Sequence, residues 1–159
     1  MMIAGHMIVA ASVFVSYVHW ATGGNWQADS SYALTWGLVM FGVLLPDIDH
    51  PDSTIGRRCR WLSYPIHILF GHRGFTHSFL ACALIVWLAY QLDGLWIYWI
   101  AVGYFLHIVG DFLTPSGVTL FYPSRKTYRA WLVADTNSIG EWILSLGIAS
   151  ASLIYVVGF

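Results

Sequence analysis

Long apolar stretches alternate with short polar connections along this chain. The apolar stretches cover residues 2–20, 32–45, 79–92, 95–113 and 139–157. A helix needs about 20 apolar residues to cross the core of a bilayer, so this pattern predicts membrane-spanning helices. The second stretch is short for a span and ends at Pro46. We expect the membrane to be thin there, or the polar residues that follow to lie below the lipid headgroups.

Two polar inserts interrupt this pattern, one after the second stretch and one after the fourth. Within the first insert, residues 61–70 form an apolar run that is too short to cross a bilayer and is typical of an interfacial or re-entrant segment. The predicted fold class is therefore an all-α membrane protein. It has about five transmembrane helices, or four plus a re-entrant segment, and the whole chain of residues 1–159 forms one domain.

Composition excludes a soluble protein and charge placement predicts an orientation. Hydrophobic residues make up 58% of the chain and charged residues only 9%, whereas about a quarter of the residues in a soluble domain are charged. The seven Lys and Arg residues all fall in the two inserts: Arg57, Arg58, Arg60, Arg73, Arg125, Lys126 and Arg129. Because cytoplasmic loops are enriched in basic residues, we expect the inserts and the N-terminus in the cytoplasm, and a multi-pass protein of the cell inner membrane.

The same topology gathers the chemically active side chains at the cytoplasmic ends of the helices. Only His19, Asp29 and Asp93 fall at the other ends. Candidate ligands therefore converge from all five spans, which predicts a single site. These candidates are His6, Asp47, Asp49, His50, His72, His77, His107, Asp111 and Glu141.

Three motifs carry the chemistry. In HIVGD, His107 and Asp111 lie one helical turn apart and could bind one ion; the alternative is a hydrogen-bonded pair of buried groups.

PDIDHPD supplies Asp47, Asp49 and His50 between two prolines, whereas Asp52 suits a helix cap. In HRGFTHS, His72 and His77 are predicted to act as ligands or as general acid and base, and Arg73 between them could bind a phosphate.

Other candidates have equally good alternatives. Arg57 and Arg58 could bind phosphate, or they could anchor the chain to anionic headgroups. His6 could be a ligand or a hydrogen-bonded interior histidine. Glu141 could be a ligand, or a charge that is favourable at a helix N-terminus.

LPDIDHPDSTIGRR, GHRGFTHS and GYFLHIVGDFLTPSGVTLFYP resemble the signature blocks of the YdjM-like inner-membrane proteins, described as predicted metal-dependent hydrolases of the LexA-regulated type. That family is grouped with the zinc-dependent phospholipase C and single-strand nuclease superfamily. The resemblance implies metal ligation by His6, Asp47, Asp49, His72, His77, His107 and Asp111, with His50 and Glu141 as possible additions. Soluble relatives have a histidine four residues before the late glutamate, where this chain has Asn137, so we expect one or two ions rather than three.

The expected function is a membrane-embedded metal-dependent hydrolase of phosphoric esters, with zinc as the cofactor. Asp49 or Asp47 would activate a water, and Arg73, with Arg57 or Arg58, would hold the phosphate. The expected partners are the lipid bilayer and an anionic or phosphate-bearing substrate, and no nucleic acid; the oligomeric state stays open. The alternatives are a divalent-cation transporter or channel, and a non-catalytic scaffold with a structural metal.

Overall fold

The computed structural model describes residues 1–25, 30–131 and 134–158. Within these ranges the secondary structure is helical apart from one isolated antiparallel bridge between Val118 and Tyr128. The predicted all-α membrane class is confirmed. The six α-helices are α1 (Ile3–Thr22), α2 (Ser30–Leu44), α3 (Arg60–Phe70), α4 (Phe79–Gln91), α5 (Leu95–Phe112) and α6 (Ile139–Val157).

Four segments are long and apolar enough to cross a membrane: Ile3–Thr22, Ser30–Asp49, Leu95–Phe112 and Ile139–Val157. The second of these explains the short apolar stretch, since α2 is extended by a 3₁₀ turn over Pro46–Asp49. The first residues of the polar motif therefore continue the helix. Helix α4 has 13 residues and is only about 20 Å long.

Local sequence explains where the helices begin and end. Gly23 ends α1 in the left-handed region, with φ of 58°, which glycine adopts without steric cost. Ser78 caps α4 by accepting a hydrogen bond from the Ala81 N–H at 3.2 Å. Ser138 caps α6 in the same way, through the Glu141 N–H.

The closest helix packing joins α2 to α5 through two glycines. A Cβ added to Gly42 would overlap the carbonyl oxygen of Ile100 and lie 3.1 Å from the Cα of Gly103. A Cβ on Gly103 would overlap the carbonyl oxygen of Val39. Small residues at such contacts let helix backbones approach closely in membranes, and here they bring the end of α2 beside the end of α5.

Helix directions place five helix ends at one end of the bundle. Helices α1 and α6 run parallel, because Glu141 contacts Met2 at their starts and Ser152 contacts Ser16 farther along. Helices α4 and α5 form an antiparallel hairpin through a turn in which Asp93 has φ of 46°. The starts of α1, α4 and α6 thus meet the ends of α2 and α5.

The predicted interfacial run is helix α3. Its Trp61, Ile68 and Leu69 side chains are more than 70% exposed, and Nδ1 of His67 lies 2.8 Å from the Asp49 carbonyl oxygen, which ties α3 to the 3₁₀ turn. At the opposite end of the bundle, His19 lies in the last turn of α1 and Asp93 in the α4–α5 turn. Asp29 lies outside the described residues.

Candidate metal centre

Five buried or half-buried side chains from four parts of the chain meet where the helix ends converge. His6 comes from α1, Asp47 from the 3₁₀ turn after α2, His77 from a short 3₁₀ turn before α4, and His107 and Asp111 from α5. We call these five residues the His–Asp cluster. Two overlapping sets of possible metal donors occur within it, His6 with His107 and Asp111, and Asp47 with His77 and His107.

Two imidazole nitrogens and two carboxylate oxygens in the cluster lie 3.5–3.8 Å from one another as imidazole–carboxylate pairs. Nε2 of His77 lies 3.8 Å from Asp47 Oδ1 and 3.5 Å from Asp111 Oδ2. Nε2 of His107 lies 3.6 Å from Asp47 Oδ1 and 3.8 Å from Asp111 Oδ2. Two ligands bound to zinc at their usual bond lengths lie about 3.3–3.6 Å apart in tetrahedral geometry, whereas N–H···O hydrogen bonds are about 2.7–3.2 Å.

Two imidazole nitrogens that face Asp47 and Asp111 have no hydrogen-bond partner in the described structure: Nε2 of His77 and Nε2 of His107, both buried. A buried polar atom without a partner costs about 1–3 kcal/mol. Two such atoms beside two carboxylates fit a bound divalent cation, which would use the nitrogen lone pairs.

The opposite nitrogens of two imidazoles are held in place, as is usual for metal ligands. Nδ1 of His107 lies 2.7 Å from the carbonyl oxygen of Val43. Nδ1 of His77 lies 3.2 Å from Asp49 Oδ2. Each contact directs the Nε2 atom of the ring toward Asp47 and Asp111.

Asp49 is fully buried and both of its oxygens have partners. Oδ1 lies 2.8 Å from Nδ1 of His72. Oδ2 accepts hydrogen bonds from the Arg73 N–H at 2.9 Å and from the Thr76 hydroxyl, in addition to its contact with His77. The carboxylate therefore lies on the outer side of His77 and connects the 3₁₀ turn to the loop before α4.

The Asp111 carboxylate forms ion pairs with two cationic groups, in addition to its contacts with the histidines. Oδ2 lies 2.9 Å from the guanidinium of Arg73, and Oδ1 lies 2.7 Å from the amino group of Met1. Nε2 of His6 is 3.2 Å from the same Oδ1. The His6 ring stacks on the His107 ring, with centroids 3.9 Å apart and an angle of 7° between the planes.

The remaining predicted residues lie around the cluster. The His72 ring is 5.7 Å from that of His77, and the His50 ring is 4.8 Å from that of His72 on its exposed side. Glu141 is buried, but its two oxygens accept the N–H groups of Met2 and Asn137 at 2.6 and 2.7 Å. That arrangement fits the helix-terminus alternative.

Arg57 and Arg58 are exposed in the turns before α3. Arg58 donates to the carbonyl oxygen of Thr54. In the described part of the chain neither guanidinium has a hydrogen bond or ion pair with the cluster. Phosphate binding by Arg57 and Arg58 stays a prediction, and so does the alternative that they anchor the chain to lipid headgroups.

Three supporting residues had not been identified from the sequence. The Thr76 hydroxyl donates to Asp49, and the Tyr104 hydroxyl donates to the carbonyl oxygen of Thr76. The Thr119 hydroxyl donates to the carbonyl oxygen of Arg73 at 2.5 Å. Tyr104 could have been found, since it lies three residues before His107 and hence on the same helix face. Nothing in the local sequence singles out Thr119.

Comparison with known proteins bears on the family. The sequence profile of the family described as YdjM inner membrane protein matches residues 1–158. The chain belongs to this family. It is 39% identical over 138 residues to the inner membrane protein YdjM of Escherichia coli (strain K12), which covers 79% of this chain and 67% of the relative. A protein of Bacillus subtilis (strain 168) named uncharacterized protein YvsG is 34% identical over 116 residues, or 72% of each chain. No solved structure matches the chain.

Family membership confirms part of the sequence-based prediction. The predicted membership of the YdjM-like family is confirmed, since the family profile covers residues 1–158. The relative from Escherichia coli is named an inner membrane protein, as predicted for the family. The metal-dependent hydrolase activity, the link to the phospholipase and nuclease superfamily, zinc and the cytoplasmic N-terminus stay predictions.

Proposed function

We propose that this YdjM-family chain is a membrane-embedded metal-dependent hydrolase that acts on phosphoric esters. One observation carries the proposal. The Nε2 atoms of His77 and His107 are buried, have no hydrogen-bond partner among the described residues, and face two carboxylates at 3.5–3.8 Å. A shared divalent cation satisfies all four groups, whereas a purely structural network of hydrogen bonds leaves both nitrogens without partners.

The proposed ligands of one ion are Asp47, His77, His107 and Asp111, and a water would complete the coordination as a fifth ligand. His6 supports this set by stacking on His107 and contacting the second oxygen of Asp111. Mixed imidazole and carboxylate donors suit zinc. A second ion would have only His6 and one oxygen of Asp111 from the cluster, so we propose one ion.

The proposed chemistry divides between the cation and the surrounding side chains. A bound divalent cation would supply Lewis acidity and a water that loses its proton near neutral pH. Arg73, beside Asp111, would hold the phosphoryl oxygens as negative charge develops on them. His72, held by Asp49 with its side chain 37% exposed, would donate a proton to the leaving oxygen. We assign Asp49 to positioning His72 and His77 rather than to ligation.

Two features favour hydrolysis over the alternatives. The cluster occupies one end of the bundle, whereas a transport path needs polar groups along both halves of the membrane. Asp47 has a side chain that is 31% exposed while the other three proposed ligands are buried. A closed structural site would bury all four ligands, so the partial exposure of Asp47 leaves a side from which water and substrate could reach the ion.

Metal content and hydrolysis of protein purified in detergent without chelators test the proposal. We expect about one zinc ion per chain and hydrolysis of p-nitrophenyl phosphate or its diester, lost on chelation and restored by zinc. Asp111→Asn and His77→Ala should lose both properties. Asp93→Asn is the matched control, because Asp93 is a carboxylate at the opposite end of α5 and its left-handed backbone conformation also suits asparagine.

Three results would contradict the proposal. Wild type without bound metal would remove the metal site. The non-catalytic scaffold would be favoured if the protein held stoichiometric metal but hydrolysed neither ester. In that case X-ray absorption would show four protein ligands and no bound water. Uptake of zinc into proteoliposomes would favour a transporter.

A further inference from the structure

A cleft of about 420 Å³ opens beside the His–Asp cluster. It is lined by the C-terminal end of α3 with the glycine-rich loop that follows it, and by the segment around Thr119–Arg125 in the second polar insert. The cleft is therefore built from both polar inserts, at the end of the bundle where the cluster lies.

The polar side of the cleft carries positive charge. Arg73 and Arg125 both line it, and no carboxylate is among the residues that line it in the described structure. The Arg125 side chain is exposed and makes no hydrogen bond or ion pair in the described parts of the chain. Arg73 is paired with Asp111 at 2.9 Å, so Arg125 adds an uncompensated positive charge to the lining. That charge favours an anion, and the planar geometry of a guanidinium suits the oxygens of a phosphate.

The other side of the cleft is apolar. Ile68 and Leu69 line it and are 78% and 71% exposed. Since the chain belongs to a family of inner membrane proteins, exposed aliphatic side chains on a short helix are best accommodated by lipid. A molecule that fills the cleft thus meets both cationic groups and exposed aliphatic side chains.

Two residues connect the cleft to the cluster. Arg73 lines the cleft and contacts Asp111 at 2.9 Å, and His72 lines the cleft and contacts Asp49 at 2.8 Å. A phosphate held between Arg73 and Arg125 would therefore adjoin the proposed metal ligands.

We infer that this cleft binds the phosphate headgroup of a membrane lipid that enters from the bilayer, and that Arg125 is a specificity residue for that headgroup. The hydrolytic fate of the bound lipid rests on the proposed function, but the binding itself does not. Charge complementarity selects the headgroup, and the apolar side selects a ligand that carries acyl chains.

Native mass spectrometry of the whole chain in mixed micelles tests the inference. The probes are dioleoyl phosphatidic acid and dioleoyl phosphatidylcholine at equal concentration, with a chelator present so that metal-dependent turnover cannot remove the lipid. We expect wild type to retain phosphatidic acid in preference to phosphatidylcholine. Arg125→Gln should reduce that preference about tenfold, the loss expected for one charge-assisted hydrogen bond. Arg129→Gln is the control, because Arg129 lies in the same insert but contacts Pro115 outside the cleft.

A second arm separates lipid from free phosphate. Inorganic phosphate at millimolar concentration should leave the bound phosphatidic acid in place, and Leu69→Ser should weaken lipid retention by removing part of the apolar side. Equal losses in Arg125→Gln and Arg129→Gln would indicate general surface charge and overturn the inference, as would an unchanged preference in Arg125→Gln. Displacement of the lipid by inorganic phosphate would also overturn it in favour of a soluble ligand.

Failure here is distinguishable from failure of the proposed function. Arg125→Gln should keep the metal content of wild type, because Arg125 does not contact the cluster. Protein that binds phosphatidic acid through Arg125 but holds no metal would support the cleft and contradict the hydrolase. Protein that holds metal and cleaves esters but shows no lipid preference would support the hydrolase and contradict the lipid-binding cleft.

Discussion

Asp49 lies 3.2 Å from Nδ1 of His77, on the far side of the imidazole from Asp47 and Asp111. The ring thus lies between carboxylates, with Asp49 at one nitrogen and Asp47 and Asp111 near the other. An aspartate at this outer position fixes the orientation of a metal-binding histidine and raises its basicity. Asp49 also anchors His72 and the Arg73 backbone, so it organises the whole loop before α4.

Replacing Asp49 tests whether it positions the ligands or binds metal itself. Asp49→Asn keeps the shape of the side chain but removes the charge that orients His72 and His77. We expect zinc affinity to fall about 10–100-fold, as for other outer partners of metal ligands, measured by competition with a chromogenic chelator. Asp52→Asn, at an exposed carboxylate in the same motif, should retain wild-type affinity. A loss as complete as that of Asp111→Asn would identify Asp49 as a ligand, and unchanged affinity would remove it from the site.

Gly110 leaves the space that the His6 ring occupies. A Cβ at position 110 would overlap Nδ1 of His6 and lie 3.3 Å from the Met1 sulfur. Gly110→Ala should therefore displace His6 from its stack on His107. We expect a fall in zinc affinity of about tenfold, measured by the same chelator competition.

Gly147→Ala is the control for Gly110→Ala. Gly147 is also inside a helix, but nothing lies within 4 Å of an added Cβ there. The control should bind zinc like wild type. Equal affinity in the two variants would show that His6 does not contribute to the centre.

The α2–α5 contact is expected to be intolerant of a single methyl group. Gly42→Ala places that methyl against the Ile100 carbonyl oxygen and the Gly103 backbone, and overpacking of this kind costs about 1–3 kcal/mol. Gly37→Ala is the matched control in the same helix, because an added Cβ there meets nothing within 4 Å. It should be neutral, or stabilising by up to about 1 kcal/mol through helix propensity.

The free energy of unfolding of both glycine variants can be measured in mixed micelles, with circular dichroism as the probe of helix content. A difference of less than about 0.5 kcal/mol between them would contradict the close packing of α2 on α5. Gly42→Ala should also lower zinc occupancy, since this packing brings Asp47 to His107.

The orientation in the membrane can be tested with reporter fusions. The start of α1 lies at the cluster end of the bundle, and α6 runs away from that end in parallel with α1. The chain termini are therefore on opposite sides of the bundle. With the basic inserts in the cytoplasm, alkaline phosphatase fused after residue 158 should be active, and green fluorescent protein fused there should be dark. The reverse result would place the His–Asp cluster on the outer face.

Sequence alone determined the class of the protein and predicted which side chains would be candidates for its site. The apolar stretches have the length and composition that only a bilayer accommodates, and the helix termini carry local signals such as Gly23, Pro46 and Ser78. The basic residues occur only in alternate connections, which predicts the topology of the helices. That topology places the candidate ligands at one end of the bundle. These features follow from local composition and spacing, which a single sequence displays directly.

Only the tertiary structure separated the roles within that group. Asp47 and Asp49 are two residues apart and chemically identical. Asp47 faces the Nε2 atoms of His77 and His107. Asp49 instead contacts four polar groups on the other side of the His77 ring. Glu141 likewise proved to be occupied by backbone N–H groups. The direction of a carboxylate depends on the 3₁₀ turn after α2 and on how closely Gly42 and Gly103 let α2 and α5 approach. Such long-range packing leaves no periodic signal in the sequence around the ligands themselves.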